Sequence, residues 1–314
     1  MRTSCIYYWD NGVGVKVDAS LIKECLEAEF DCSLFDFSIS QNDNNNYFDY
    51  TPEVQYDIGI FIQNFQPNLL TRNKINVFIV NEEWLTCKEA SSLSDFDYVI
   101  VKNKFAKKLL EGLHSNINVL YFWSRDLYDN HYNKYKNNNI IHFAGKSIQK
   151  NTECLLNNTN VHIFDSTGRY KDVRTEFYYT EYISDTKLSR VFNTSDTHIC
   201  PSLYEAHGHY MFEGMLCDKK VIASKIPVWE EQIDPDYLIF LETKPGIIIN
   251  EEYEFLNSNN DSESTKFPFR RGFIVDSSDL EDKIASKNYK KPRKYLTNLF
   301  NTNKNNFLEF FKNI

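Results

Sequence analysis

Short apolar runs alternate along the chain with segments whose apolar positions recur at helical spacing, a pattern that predicts repeated βα units and a parallel sheet. Residues 5–9 read as a strand, 10–14 as a glycine-containing turn, and 19–28 as a helix with Leu21, Ile22, Cys25 and Leu26 on one face. Strands follow at 58–62, 76–80, 98–101 and 118–122, the last two separated by a helix at 104–112. These complete one doubly wound domain, residues 1–130. From 128 to 139 the composition turns to Asn, Lys, Tyr and Asp without an apolar period, which predicts a linker. A second series, 138–290, has strands at 140–144, 160–164, 178–183, 198–200, 220–223, 238–241 and 273–275, and helices at 151–157, 186–193 and near Leu280. The polar stretch 257–266 reads as a surface insertion. Residues 291–314 form an amphipathic helix carrying Tyr295, Leu296, Leu299, Phe300, Phe307, Leu308, Phe310 and Phe311, with Pro292 in its first turn.

Bulk properties narrow the function classes. A length of 314 residues suits two domains, and 44 acidic against 35 basic side chains disfavour sequence-independent nucleic-acid binding, which needs a basic face. No run approaches the roughly 18 to 20 apolar residues of a membrane span, and the first ten residues lack a signal-peptide pattern. Seven cysteines, odd in number and never spaced as CxxC, indicate neither a disulfide framework nor a zinc site. The expectation is a soluble, cytoplasmic protein without a metal or other cofactor.

The segment from Pro201 to Glu213 carries the most chemistry. It leaves a strand, passes a turn containing Gly208 and enters a helix, placing Glu205 in the turn and Glu213 in the first part of the helix. A carboxylate can accept hydrogen bonds from vicinal hydroxyls, and the backbone N–H groups of a helix start lie unpaired beside it, so the arrangement suits a ribose or hexose. On spacing alone, a capping acid and a solvated helix residue fit equally well.

The same segment resembles the Glu-x7-Glu signature of glycosyltransferase family 4. Pro201, Ser202, Tyr204, Glu205, Gly208, Glu213, Met215, Val221, Ile222, Ala223 and Ser224 match it in register. Residues 184–188 resemble the short loop and helix start that precede that signature, and 143–151 resemble the phosphate-binding turn that opens the second domain. The resemblance implies a GT-B architecture, α/β, of two Rossmann-like domains facing a central cleft, with the closing helix crossing back to the first. It implies a retaining, metal-independent glycosyltransferase using a UDP- or GDP-linked sugar and a glycan, glycoprotein or lipid acceptor. Glu213 would hold the donor ribose. Glu205, with Gly208, His209 and Tyr210, would hold the transferred sugar, one of His207 and His209 lining that pocket. Gly145 belongs to the phosphate turn, Lys146 and Lys150 are the nearest diphosphate-neutralising cations, and Ile183 lies against the base. Lys146 stands where the family has Arg, and the turn is shorter than usual.

The first domain resembles the family more weakly. Gly12-Val13-Gly14 matches a loop that approaches the diphosphate and acceptor, where absent side chains permit close backbone approach. Asn81 stands where many members carry His, which leaves Asn81, Glu82 and Trp84 as acceptor-side residues without a general base at position 81. A polar loop anchored by a buried Trp fits them equally. Asp95-Phe-Asp97 has the form of a metal-binding DxD but precedes its strand rather than ending one, and Asp234-Pro-Asp236 reads as a turn, so neither is taken as a metal site. The basic run Lys287, Lys290, Lys291, Arg293 and Lys294 reads as a solvated face, with a weak peripheral membrane contact as the alternative. Competing functions are a non-catalytic nucleotide- or sugar-binding module and a GT-B sugar-nucleotide epimerase.

Overall fold

The computed structural model describes residues 1–10, 14–40, 55–135, 137–173, 176–247 and 271–314. Gly12, Val13 and the insertion at 257–266 lie outside the described residues. The chain divides into two compact units, the first holding Met1–Trp123 and Thr302–Ile314, the second beginning at Ser124.

Unit 1 contains β1 (Arg2–Tyr8), β2 (Phe30–Asp36), β3 (Tyr56–Ile62), β4 (Asn73–Val80), β5 (Tyr98–Val101) and β6 (Ile117–Val119) in one sheet ordered β2-β1-β3-β4-β5-β6. All its pairings are parallel. Such strands are covered on both faces, so the runs Ile58–Ile62 and Val77–Val80 are apolar nearly throughout and buried. The order reverses between β1 and β3. Helix α1 runs Gly14–Leu26, five residues earlier than the sequence pattern predicts, because Val15, Asp18, Ala19 and Ile22 share the buried face. Short helices α2 (Pro67–Leu70) and α3 (Cys87–Ser91) follow β3 and β4, and α4 (Lys104–Leu110) follows β5. Asn103 caps α4, its Oδ1 accepting from Ala106 N at 2.6 Å.

Unit 2 contains β7 (Ile140–Phe143), β8 (Val161–Phe164), β9 (Tyr178–Tyr179), β10 (Thr197–Cys200), β11 (Lys220–Ser224) and β12 (Ile239–Leu241), ordered β12-β11-β10-β7-β8-β9 and again parallel. Chain order runs outward from β7 to β9 and then returns to β10 on the other side, so the topological switch lies between β7 and β10. Helix α5 (Asp185–Thr194) is capped by Ser184, while α6 (His209–Leu216) and α7 (Pro227–Glu230) follow β10 and β11. The expected helix at 151–157 is a single 3-10 turn, Thr152–Leu155. The expected strand at 273–275 belongs to β14 (Arg271–Val275), which pairs antiparallel with β13 (Thr243–Ile247) rather than joining the parallel sheet.

After α8 (Leu280–Ala285), the closing helix α9 (Arg293–Asn313) begins in unit 2 and ends in unit 1. Its last turns pack on the first unit as the amphipathic pattern requires. Phe307 is fully buried with ring centroids 5.6 Å from Phe122 and 5.3 Å from Trp123, and Asn303 Nδ2 donates to the Phe122 carbonyl at 2.9 Å.

Candidate functional site

The loops after β7 and β10 leave the carboxyl edge of unit 2's sheet on either side of its switch, the place where open α/β sheets bind ligands. They are joined by backbone and side chain alike. Leu203 N donates to Gln149 O at 2.8 Å, and the buried His142 of β7 reaches the Ile199 carbonyl of β10. Its Nδ1 lies 2.9 Å from the Ile199 carbonyl, which can only accept, so that nitrogen carries the proton and Nε2 accepts from Thr152 Oγ1. Burial pushes the His142 pKa down to about 4, so the ring is a neutral strut near pH 7.

Glu205, only 7 % exposed, is the centre of the first cluster. Its Oε1 forms a charge-assisted bond with Lys150 Nζ and accepts from Ser202 Oγ at 2.7 Å, while Gln149 Nε2 reaches Oε2 at 3.4 Å. Ser202 also bonds the Tyr210 hydroxyl at 2.6 Å, and Lys150 Nζ sits 4.1 Å from the Tyr210 ring centroid. A buried carboxylate is tolerated because its charge is paired and its oxygens are supplied with donors. Lys150 is thus drawn to Glu205 in this structure, while Lys146 is exposed and its carbonyl accepts from Arg169 at 3.1 Å. Gly145, with φ +63°, is exposed at the same turn.

Glu213, 3 % exposed, is the fifth residue of α6. Arg125 Nε donates to its Oε1 at 2.8 Å, and Arg125 Nη1 donates to Asp185 at the start of α5 at 2.9 Å. Ser124 Oγ lies 3.0 Å from His207 Nε2 and 2.9 Å from His209 Nδ1; one hydroxyl donates to one ring and accepts from the other. His207 is buried, stacks on Phe212 with centroids 4.5 Å apart, and its carbonyl accepts from Trp229 Nε1 at 2.9 Å. The turn requires glycine at 208. Its φ is +85°, and a Cβ there would lie 2.9 Å from the Trp229 ring. Ile183 is half-buried just before the Ser184 cap. The sequence reading brought none of Ser124, Arg125, Gln149 and Ser202 forward as site residues, although Ser202 stands in the signature.

In unit 1, Gly14 opens α1, and a methyl group there would meet nothing within 4 Å, so the chain's own packing does not demand glycine. Asn81, Glu82 and Trp84 occupy the turn after β4. Asn81 is 8 % exposed and donates from Nδ2 to Gln63 Oε1 at 3.0 Å; Trp84 is half-buried rather than a buried anchor. Glu82 Oε1 accepts from Asn103 Nδ2 at 2.8 Å. Burial, and then the neighbouring Glu83 carboxylate, raise the Glu82 pKa from 4.5 to about 8, against the opposing effects of Asn103 and Lys102.

This raised acid has a consequence for stability. Above pH 4.5 the unfolded chain gives up the Glu82 proton, whereas the folded chain retains it to about pH 8, so this group's contribution to stability falls as pH rises through that window. Glu82→Gln is expected to remove that slope and to raise the melting temperature relative to wild type by a few degrees at pH 8.5, with little change at pH 4.5. Parallel melting curves for the two proteins across that range would refute the assignment.

Asp97, just before β5, accepts at Oδ2 from Asn76 N of the neighbouring β4 at 2.8 Å, and Asp234 fills a turn role, its Oδ1 accepting from Asp236 N at 2.9 Å. Among the described residues no helix is long and apolar enough to cross a membrane.

No protein-family model matches the sequence. No curated protein matches it either. Solved structures do match over the whole chain. Sucrose-phosphate synthase from Thermosynechococcus elongatus superposes with a TM-score of 0.66 at 12 % identity, covering 100 % of this chain and 99 % of that one. HepE from Anabaena, solved with UDP and glucose, gives 0.62 at 12 % identity with both chains fully covered. The lipopolysaccharide outer core galactosyltransferase WaaB gives 0.54 at 13 % identity, again with both fully covered. The two parallel sheets and this coverage define the GT-B fold of glycosyltransferases.

Proposed function

We propose that the protein is a glycosyltransferase that moves a sugar from a UDP- or GDP-linked donor to a hydroxyl of a glycan, glycoprotein or lipid. The observation that carries this reading is the pairing of Lys150 with the buried Glu205 across the switch of unit 2's sheet, eight residues before a second buried carboxylate, Glu213. Glu213 binds the ribose, with Arg125 holding its Oε1. Glu205 and the backbone of Gly208 to Tyr210 bind the transferred sugar. Departure of a nucleoside diphosphate builds negative charge, and Lys150, Lys146 and the N–H groups at the start of α6 stabilise it. Retention of configuration and independence of a metal rest on the resemblance to the Glu-x7-Glu glycosyltransferases. The likeness to HepE, solved with UDP and glucose, makes UDP-glucose the first donor to try.

Titration calorimetry with UDP and GDP tests the donor site. One of the two is expected to bind, and Glu213→Ala to weaken it by about tenfold or more, as loss of a hydrogen bond to a charged group does, with the fold intact. Unchanged affinity in that variant would remove Glu213 from the site. Turnover that disappears in EDTA and returns with manganese would overturn metal independence.

A further inference from the structure

The carboxyl edge of unit 1's sheet holds a polar cluster that the donor site does not use. It gathers the residues that follow three adjacent strands: Gln63 after β3, Asn81 and Glu82 after β4, and Lys102 and Asn103 after β5. Gln63 adopts φ +65°, a conformation rare outside glycine, and its side chain accepts from Asn81. Two buried oxygens on consecutive residues, Asn81 Oδ1 and Glu82 Oε2, have no hydrogen-bond partner among the described residues. Buried polar atoms are rarely left so, and each needs a water or a ligand. Asn81 Oδ1 can only accept. Glu82 Oε1 is already engaged by Asn103, whose own Oδ1 caps α4 and whose side chain is fully buried, so Oε2 is the oxygen left for another partner.

The charges around this pair select against an anion. Lys102 Nζ bonds Asp18 Oδ2 at 2.5 Å, both side chains 3 % exposed, and lies 4.4 Å from the Phe122 ring centroid. Its charge is therefore committed to a carboxylate of α1, while Glu83 adds a further carboxyl beside Glu82. A phosphate here would meet oxygens and a cation already neutralised.

Building on the proposed glycosyltransferase activity, in which Asn81 and Glu82 stand on the acceptor side, we propose that the acceptor taken at this cluster is an uncharged hydroxyl compound, a neutral sugar, in preference to a sugar phosphate. One hydroxyl satisfies both oxygens, donating to Asn81 Oδ1 and accepting from Glu82 Oε2–H. The raised Glu82 pKa is in keeping with that donor role near pH 7. Glu82 then orients the acceptor as a neutral acid and is not its base.

The test is saturation-transfer NMR on the full chain at pH 7, using p-nitrophenyl glucosides, galactosides and mannosides alongside glucose, galactose and mannose 6-phosphates. At least one neutral glycoside is expected to bind saturably and each sugar phosphate about tenfold more weakly or not at all. Glu82→Ala and Asn81→Ala are each expected to lower the glycoside's affinity by about tenfold. Glu82→Gln offers an N–H in place of the acid O–H and is expected to recover most of what Glu82→Ala loses. Melting curves confirm that each variant is folded, and Glu82→Gln carries the decision where an alanine variant is not. Equal or tighter binding of the phosphates, no saturable binding of any neutral glycoside, or a Glu82→Gln variant as impaired as Glu82→Ala would each overturn the proposal. UDP and GDP titrations of the same samples read the donor site separately, so a failed acceptor site with intact nucleotide binding rejects this inference alone.

Discussion

Lys150→Ala is expected to lower the rate of sugar transfer by about 10²- to 10³-fold, the usual effect of removing one preorganised group that stabilises charge in the transition state. Lys150 is half-buried, bonded to Glu205 and seated against the Tyr210 ring, so its ammonium is held in place before any substrate arrives. Removing it also leaves the Glu205 carboxylate, 7 % exposed, with only the neutral donors Ser202 and Gln149, so the variant should lose stability too. Thermal unfolding of the double variant Lys150→Ala/Glu205→Gln reads the stability effect, since neutralising the stranded acid restores stability, while the cation's effect on turnover is read by comparing that double variant with Glu205→Gln alone. Lys150→Arg is not a faithful replacement, because a planar guanidinium cannot sit as a compact charge between Glu205 and the ring. Turnover assays with UDP- and GDP-sugars, paired with thermal unfolding, decide the matter. Transfer within about threefold of wild type in Lys150→Ala would show that the ammonium is structural.

The sequence reading reached the strands most securely where burial on both faces leaves no polar alternation. Tyr98–Val101, closed by Asp97 before it and Lys102-Asn103 after it, has the bounds its apolar run predicts. Phe30–Asp36 is a strand that the apolar runs do not predict. It is an edge strand at the side of β1, and its alternation of Phe30, Cys32 and Leu34 with Asp31 and Ser33 is the pattern of a strand with one face exposed, a weaker signal than a continuous apolar run. The first turn of α1 is hidden from the local pattern because Gly14, Val15 and Val17 favour turn or strand, and only burial of Val15, Asp18, Ala19 and Ile22 rewards the helix. Tyr178–Tyr179 keeps two paired residues of the expected strand at 178–183.

The site was legible to a different depth. Glu205, Gly208 and Glu213 stand within one short segment whose spacing carries the chemistry. Their partners do not. Lys150 lies 55 residues from Glu205, and Arg125 lies 88 residues from Glu213, just before the stretch at 128–139 whose polar composition predicts a linker. Lys150 entered the reading as a phosphate cation, and its pairing with Glu205 follows from the neighbouring positions of β7 and β10, which sequence spacing does not encode. Nothing local distinguishes Ser124 and Arg125 from their neighbours. Likewise Asp18, one acid on an otherwise apolar helix face, reads as an anomaly until Lys102 is brought beside it by the order of the sheet.

That pair yields the second large effect. Asp18→Ala is expected to destabilise unit 1 by about 3 to 5 kcal/mol, because it leaves the Lys102 ammonium in the interior without its counter-charge. The Phe122 ring, 4.4 Å from Nζ, recovers part of that cost, since a desolvated cation–π contact contributes about 2 kcal/mol or more. Deleting both charges behaves differently. In Asp18→Leu/Lys102→Met the interior holds only apolar side chains of similar bulk, and stability is expected to return to within about 1 kcal/mol of wild type. Because the chain has two units, one unfolding midpoint does not isolate the effect, and amide exchange on β1, β3 and β5 against β7 and β10 is the proper measurement. Loss of protection should be concentrated in the first three strands. The acceptor subsite is expected to weaken with it, since Lys102 and Asn103 are consecutive and Asn103 holds Glu82, whereas nucleoside-diphosphate affinity in unit 2 should not change. A double variant as unstable as Asp18→Ala would show that the pair's role lies in its packed shape and not in mutual neutralisation. Equal loss of protection in both units would reject the confinement of the effect to the first.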